Sequence, residues 1–541
     1  MKEIRLYDYQ AEMKERIEAA FRSYQSVMVQ MPTGTGKTIL LAEVVKSEER
    51  RVKNPDGEKS EKLKVKNPCV WIVVHRRELV EQIKETLEAS LNVKCEMLNA
   101  THNVKCEMLN VKRGKPLDSS LFTFPFSLNT RVFSIQWLSR HYQEMEESPS
   151  LIVIDEAHHA VAKTYKEVME AYPEAKKLGL TATPCRLNRR GFTDLFDVLL
   201  QSWSAKKFIA DGWLSLYDYM SIREDSEDWR LVNSLKKRGA DGDFSLREMS
   251  EKLNVQPSIE RLCDTILRYA PNKKGIVYAI DIKHAEHIAE YYREHGLNAV
   301  AISRKTPEEE RKRIIEIFRN TNGGTICQEM DMKDSFKNTN CQELSMNYST
   351  NYSTNCQELG TRNSCSGERL YEPSATLNTQ HCLRQPLNIQ HSTFNILINV
   401  DLFGEGFDCP DVEFIQLARP TLSLAKYLQQ VGRGMRVFEG KRYCLILDNV
   451  GLYRLFGLPS DDRDWKAMFE GRMAGKGVLS DDADGLYNVA YSIRNEKDSV
   501  SSDARTELIT VMTHEGQRMD LDEAYGYRVV GNGDEIVIKS E

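Results

Sequence analysis

The sequence predicts two α/β domains in tandem, each with a parallel sheet, followed by a small acidic C-terminal tail region. Three observations predict this. Short, continuous apolar runs alternate with longer amphipathic runs through the first part of the chain. The same alternation restarts near residue 270, and it fades beyond about 457. Strands buried on both faces read as unbroken apolar runs, and their alternation with helices implies parallel pairing.

SVMVQM (26–31) is the first expected strand; a Gly-rich turn follows it, then a helical run, ILLAEVVKSEER. CVWIVVH (69–75) is the next strand, trailed by the amphipathic RRELVEQIKETLEAS. SLIVIDEA (150–157) and KKLGLTATP (176–184) complete the first series. A helical connector near 245–270 leads to GIVYAI (275–280) and to a helix, KHAEHIAEYYREHG, ending at Gly296. LNAVAIS, TPEEERKRIIEIFR, FNILINVDL (394–402), EFIQLA (413–418) and RYCLILDN (442–449) continue the second series. The expected boundaries are 1–205, 206–456 and an acidic, loop-like extension, 457–541, in which no chemistry is evident.

Three segments carry short internal repeats. VKNP recurs within 51–68, NVKCEMLN within 92–113, and CQE and NYST within about 325–391. Solenoid repeats need a full supersecondary unit per copy, and these lack one. Rich in Asn, Ser, Thr and Cys, they are expected to be disordered loops, with a partner-binding loop as the alternative. The third lies between a helical run and a strand, where connections usually take about 2–6 residues.

Composition narrows the class. The 541 residues carry a net charge of −6, so a grip on nucleic acid would have to come from a local basic groove. No run approaches the roughly 18 apolar residues that cross a membrane. The N-terminus is charged from the start, and a cytoplasmic location without membrane association is expected. The 12 cysteines form no CxxC pair, so reduced thiols are expected. Five of them (Cys327, Cys341, Cys356, Cys365, Cys382) share the third repeat segment at spacings unlike a structural zinc site.

MPTGTGKT (31–38) falls between a strand and a helix. Its glycines let backbone N–H groups wrap phosphate, and the helix N-terminus adds its positive dipole end. Thr33, Gly34, Thr35, Gly36, Lys37 and Thr38 are the expected ATP-binding residues, with Lys37 on the β- and γ-phosphates and the Thr38 hydroxyl on Mg²⁺. Met31 stands where the strict pattern wants glycine. The bland alternative is a chance Gly-rich turn. DEAH (155–158) ends the next expected strand. Asp155 is placed to hold Mg²⁺ and Glu156 to orient and deprotonate water, because phosphoryl transfer needs positioning and charge stabilisation. Four letters alone are weak, and their value comes from following GTGKT. TATP (181–184), with Thr181 and Thr183, would by itself be an ordinary turn. QQVGRGMR (429–436) sets Arg433 and Arg436 three apart, on one face if helical. Aimed at a γ-phosphate they would act as arginine fingers; otherwise they are a solvated basic face.

These motifs occur in order, with FGEGFD (403–408) before the last. Together they resemble superfamily 2 helicases over roughly residues 1–456, outside the repeat segments. The resemblance implies two RecA-like domains with ATP and Mg²⁺ between them and nucleic acid across the opposite edge. It implies an adenine-reading role for Gln10 in LYDYQ (6–10). It implies nucleic-acid contacts by Arg76 and Arg77 in VVHRRELVEQ (73–82) and by Gln136 in SIQWL (134–138). Gly406 and Asp408 would help close the nucleotide site. His158 would couple it, with Thr181 and Thr183, to Gln429 across the cleft. DEAH, EGFD and QxxGRxxR are more similar to the type III restriction motor subunit and bacterial DNA-repair helicases than to DEAD-box RNA helicases. DNA is therefore favoured over RNA as partner. No nuclease motif is evident in the tail, which argues against a complete restriction enzyme. An RNA helicase or remodeller, and a decayed helicase that only binds nucleic acid, remain the alternatives.

Overall fold

The computed structural model describes residues 6–53, 69–75, 80, 83, 96–98, 129–145, 147–160, 163–188, 190–321, 394–402, 408–472, 508–514, 518–520, 526–530 and 535–539. The 325–391 segment lies wholly outside them, and most of the 51–68 and 92–113 repeats do too.

Seven parallel strands form the first sheet. They are β1 (Ser26–Gln30), β2 (Cys69–Val74), β3 (Glu96–Leu98), β4 (Asn129–Ser134), β5 (Pro149–Asp155), β6 (Lys176–Thr181) and β7 (Val198–Gln201). Their spatial order is β3-β4-β2-β5-β6-β1-β7. Every residue of β1 and β2 is buried, as unbroken apolar runs require of central strands. Because all seven run the same way, the segments that follow β1, β2, β5 and β6 emerge at one edge of the sheet. One repeat expectation is corrected. Residues 96–98 of the first NVKCEMLN copy are not loop but strand β3, at the sheet edge beside β4. A run this short has too little apolar period to be read as a strand.

The second sheet contains β8 (Leu216–Ile222), β9 (Gly275–Tyr278), β10 (Ala299–Ile302), β11 (Ile396–Asn399), β12 (Phe414–Leu417) and β13 (Tyr443–Asp448) in parallel. The C-terminal extension is not the loop-like tail expected from its composition. Strands β14 (Leu508–Met512), β15 (Arg518–Asp520), β16 (Gly526–Val530) and β17 (Glu535–Lys539) extend the same sheet antiparallel, from β8 outward. The second sheet therefore does not end at 456.

The stretch just beyond 456 also departs from expectation. The Tyr427 hydroxyl donates to the Gly457 carbonyl at 2.9 Å, and Tyr217 and Ser460 share a hydrogen bond of 2.5 Å, anchoring the segment on the second domain. Arg463 donates to the carbonyls of Phe456, Leu458 and Asp461, which fixes the turn. A short helix, Trp465–Phe469, then delivers the Phe469 ring into the first domain's core beside Phe192 and Phe196. The Phe192 N–H donates to the Phe469 carbonyl at 2.6 Å. Residues 457–469 thus strap the second domain to the first. No described helix is long and apolar enough to cross a membrane.

Candidate functional site

The phosphate-loop sequence leaves β1 and turns through Gly34 and Gly36, at φ +91° and +76°. Side-chain-bearing residues rarely adopt such angles. A Cβ on Gly36 would also lie 2.4 Å from Gln10 Nε2. Gln10, on helix α1 (Asp8–Ala20), donates from Nε2 to the Thr35 carbonyl at 3.2 Å, and the Tyr9 hydroxyl donates to the same carbonyl at 3.1 Å. The Gln10 amide oxygen accepts from the Tyr7 N–H at 3.1 Å, so in this structure both ends of the amide are engaged by protein. Tyr9 sits among Trp203, Phe208 and Trp213, an aromatic base under the loop that the sequence motifs did not flag.

Lys37 begins the following helix, with Nζ 3.4 Å from the Met31 and Pro32 carbonyls. Burial pulls its pKa below the ordinary lysine range. The Glu156 and Asp155 carboxylates oppose that shift, and Arg433 and Arg436 reinforce it. These five charged groups therefore share one electrostatic environment. Thr38 is the next residue of the same helix, and Asp155 ends β5. A hydroxyl and a carboxylate are hard oxygen donors suited to Mg²⁺, which readily takes its other ligands from phosphate and water.

Glu156 lies just past β5 in the left-handed region, at φ +49°, and turns the chain into the 3₁₀ helix Ala157–His159. A non-glycine residue held there costs on the order of 1 kcal/mol and is worth reading functionally. His158 is buried, with Nδ1 3.0 Å from Thr181 Oγ1 and 3.3 Å from Glu156 Oε2. Thr181 Oγ1 also accepts from the Thr183 N–H at 3.1 Å, which ties the TATP segment to the DEAH turn.

From the second domain, the helix Leu424–Gly434 meets this edge through its last two turns. Its N-cap Ser423 accepts from the Lys426 N–H. Gln429 is buried, with Nε2 3.3 Å from His158 Nε2. A Cβ on Gly432 would fall 2.6 Å from Thr33, so only glycine lets the helix approach the loop this closely. Arg433 is buried in the last helical turn. The expectation of a shared helical face for Arg433 and Arg436 is corrected, because the helix ends at Gly434 and Arg436 lies beyond its C-cap. Arg436 pairs instead with Asp408 at 2.9 Å, and burial beside Arg433 draws its guanidinium down to about 10. Asp408, exposed on its other side, thus reaches the site through Arg436. Two cavities flank the contact. One of about 210 Å³ is bordered by Thr33, Thr183, Gly432 and Arg463, and one of about 130 Å³ by His158, Gln429, Asp401 and Arg419.

Gln136 lies away from this cluster, where its Nε2 donates to the His75 carbonyl at the end of β2 (2.8 Å). Arg76, Arg77 and Gly406 lie outside the described residues.

Comparison with known proteins accords with this geometry. Residues 3–186 match the family model described as type III restriction enzyme, res subunit, and residues 345–438 match the helicase conserved C-terminal domain. The chain is a superfamily 2 helicase resembling the restriction motor subunits. The second match begins inside the segment expected to be an insertion. This helicase is 26% identical over 450 residues to a 51.5 kDa protein of a Lactococcus phage, covering 83% of this chain and 71% of that one. It is 24% identical to Saccharomyces cerevisiae IRC3, provisionally named an ATP-dependent helicase, over 84% of this chain but 54% of the yeast protein. The DNA 3'-5' translocase XPB2 of Sulfurisphaera tokodaii is 22% identical over 58% of this chain and 68% of its own. Among solved structures, a fragment assigned as the HsdR subunit of a Vibrio vulnificus type I restriction enzyme shares the fold. Its TM-score is 0.50 at 18% identity, over 86% of this chain and 66% of that one.

Proposed function

We propose that this helicase is a nucleic-acid-dependent ATPase acting on DNA, coupling hydrolysis to translocation or strand separation. The observation that carries the reading is the closure of the Leu424–Gly434 helix on the phosphate loop. It brings Arg433 and Arg436 into one field with Lys37, Asp155 and Glu156. ATP with Mg²⁺, when bound, supplies the phosphoanhydride that is broken. Lys37 and the loop N–H groups hold the phosphates, and Thr38 and Asp155 provide the oxygens for the ion. Glu156 orients the attacking water and takes its proton. Arg433 and Arg436 stabilise charge that grows in the transition state, an effect worth on the order of 10³–10⁵ in rate for such fingers.

DNA is favoured by the EGFD and QxxGRxxR motifs and by the relative named as a DNA translocase. The deciding experiment measures ATP turnover without nucleic acid and with single-stranded DNA, duplex DNA or RNA. Stimulation by DNA is expected. Stimulation by RNA alone would make the chain an RNA remodeller. Binding without turnover would mark a helicase fold retained for binding.

A further inference from the structure

His158 and His159 are adjacent on the 3₁₀ turn that follows Glu156, and their rings are 4.1 Å apart, tilted by 41°. They serve different neighbours. His158 is committed to Thr181, Glu156 and Gln429. The half-buried His159 instead stacks on His75, with centroids 3.9 Å apart and planes within 12°. His75 directly follows β2. Its carbonyl accepts from Gln136. A continuous chain of contacts therefore runs from Gln136, through the His75 backbone and ring, through His159 to His158, and so to Glu156. Its two ends are a surface expected to meet nucleic acid and the carboxylate expected to activate water.

We infer that His159 is a positioning residue that transmits nucleic-acid engagement at the Gln136 and His75 surface to Glu156, through its stack on His75. The inference rests on the ATPase reading above. The element it would bias is the Ala157–His159 turn, hinged on left-handed Glu156. A displacement of the His75 carbonyl, held by Gln136, when the backbone of DNA is gripped would shift the His75 ring and, with it, the turn that aims the carboxylate. Flat ring stacking suits such a contact, because it resists separation of the two rings. Coupling energies between sites are reciprocal, so a nucleotide bound at the cleft changes DNA affinity by the same factor.

The test compares wild type, His159→Ala and His159→Phe, all checked for equal thermal unfolding. Turnover is measured with and without single-stranded DNA, and DNA affinity with and without a non-hydrolysable ATP analogue. His159→Ala should keep basal turnover within about twofold while DNA stimulation falls about tenfold, a usual size for coupling between sites. The analogue-dependent change in DNA affinity should shrink as well. His159→Phe, which preserves a flat ring over His75, should restore most of both. Full stimulation in His159→Ala overturns the inference and leaves the ATPase reading standing. Equal loss of basal and stimulated turnover also overturns it, because His159 would then merely support the DEAH turn. If no nucleic acid stimulates the wild type, the function reading falls and the inference with it. Should His159→Ala unfold early, His159→Phe decides alone: if it is folded but unstimulated, the stack is not the route.

Discussion

Gln429 and His158 meet across the cleft, their Nε2 atoms 3.3 Å apart, and join the second domain's helix to the DEAH turn. With the amide nitrogen donating, His158 Nε2 accepts, and Nδ1 carries the proton that faces Thr181 Oγ1 and Glu156. One neutral imidazole can thus serve both domains. Gln429→Ala should lower kcat about tenfold with KM for ATP little changed, since the lost bond orients the catalytic turn and leaves the phosphate loop intact. Steady-state kinetics measures this, and a rise in KM alone would place Gln429 in ground-state binding.

Arg433 and Arg436 occupy unlike settings, one buried at the helix end and one beyond it, paired with Asp408. Replacing either by Ala should leave ATP affinity within a few-fold, because Lys37 and the loop amides lie on the other domain. Turnover should fall by on the order of 10² or more, as expected of groups that act on transition-state charge. Nucleotide binding measured beside single-turnover hydrolysis separates the two effects. Asp408→Ala should cost less than Arg436→Ala, because it frees the guanidinium without removing it.

The strap supplies a stability prediction. Phe469 is 4% exposed and stacks near Phe192 at 6.4 Å between centroids. Phe469→Ala should cost about 3–5 kcal/mol at that contact, the usual range for a buried Phe to Ala change. Proteolysis around 457–472 should quicken accordingly. A Tm and cleavage rate equal to wild type would show that the strap carries no such load.

His284, buried in the helix Ile282–Glu294, has a pKa lowered by burial from 6.5 to about 4. Its Nδ1 accepts from the Ile280 N–H, which the charged form could not do. The unfolded chain therefore binds the proton more readily. Its contribution is full above about pH 6.5 and is lost as pH falls toward about 4, roughly 2 kcal/mol of it by pH 5. Asn keeps an acceptor and cannot titrate, so denaturant curves for wild type and His284→Asn should converge as pH drops from 7.5 to 5. Curves that stay a fixed distance apart over that range would contradict this.

Much of the site is legible in the sequence because its chemistry constrains residue type at each position. Gly36 must take a positive φ, Lys37 must follow it into a helix, and Asp155 must end a buried strand. What the sequence hid is non-local. β8 mixes Asp218 and Ser221 into its apolar residues, and β14 to β17 show themselves only once β8 offers an edge. The spacing of Arg433 and Arg436 suggests a shared helical face, but Gly434 ends the helix between them. Neither Phe469 nor His159 belongs to any motif. Each matters through a partner, Phe192 or His75, far away in sequence.

The central claim, that this cleft hydrolyses ATP with Glu156 as the base, is tested most directly with Glu156→Gln. Gln keeps the size and the hydrogen-bonding reach toward His158 but cannot accept the proton. In the presence of single-stranded DNA, the variant should bind ATP with near wild-type affinity and turn it over 10²–10⁴-fold more slowly, on the order expected for a lost general base. It should also hold DNA longer with ATP than wild type does. Turnover within a few-fold of wild type, or loss of ATP binding itself, would contradict the account.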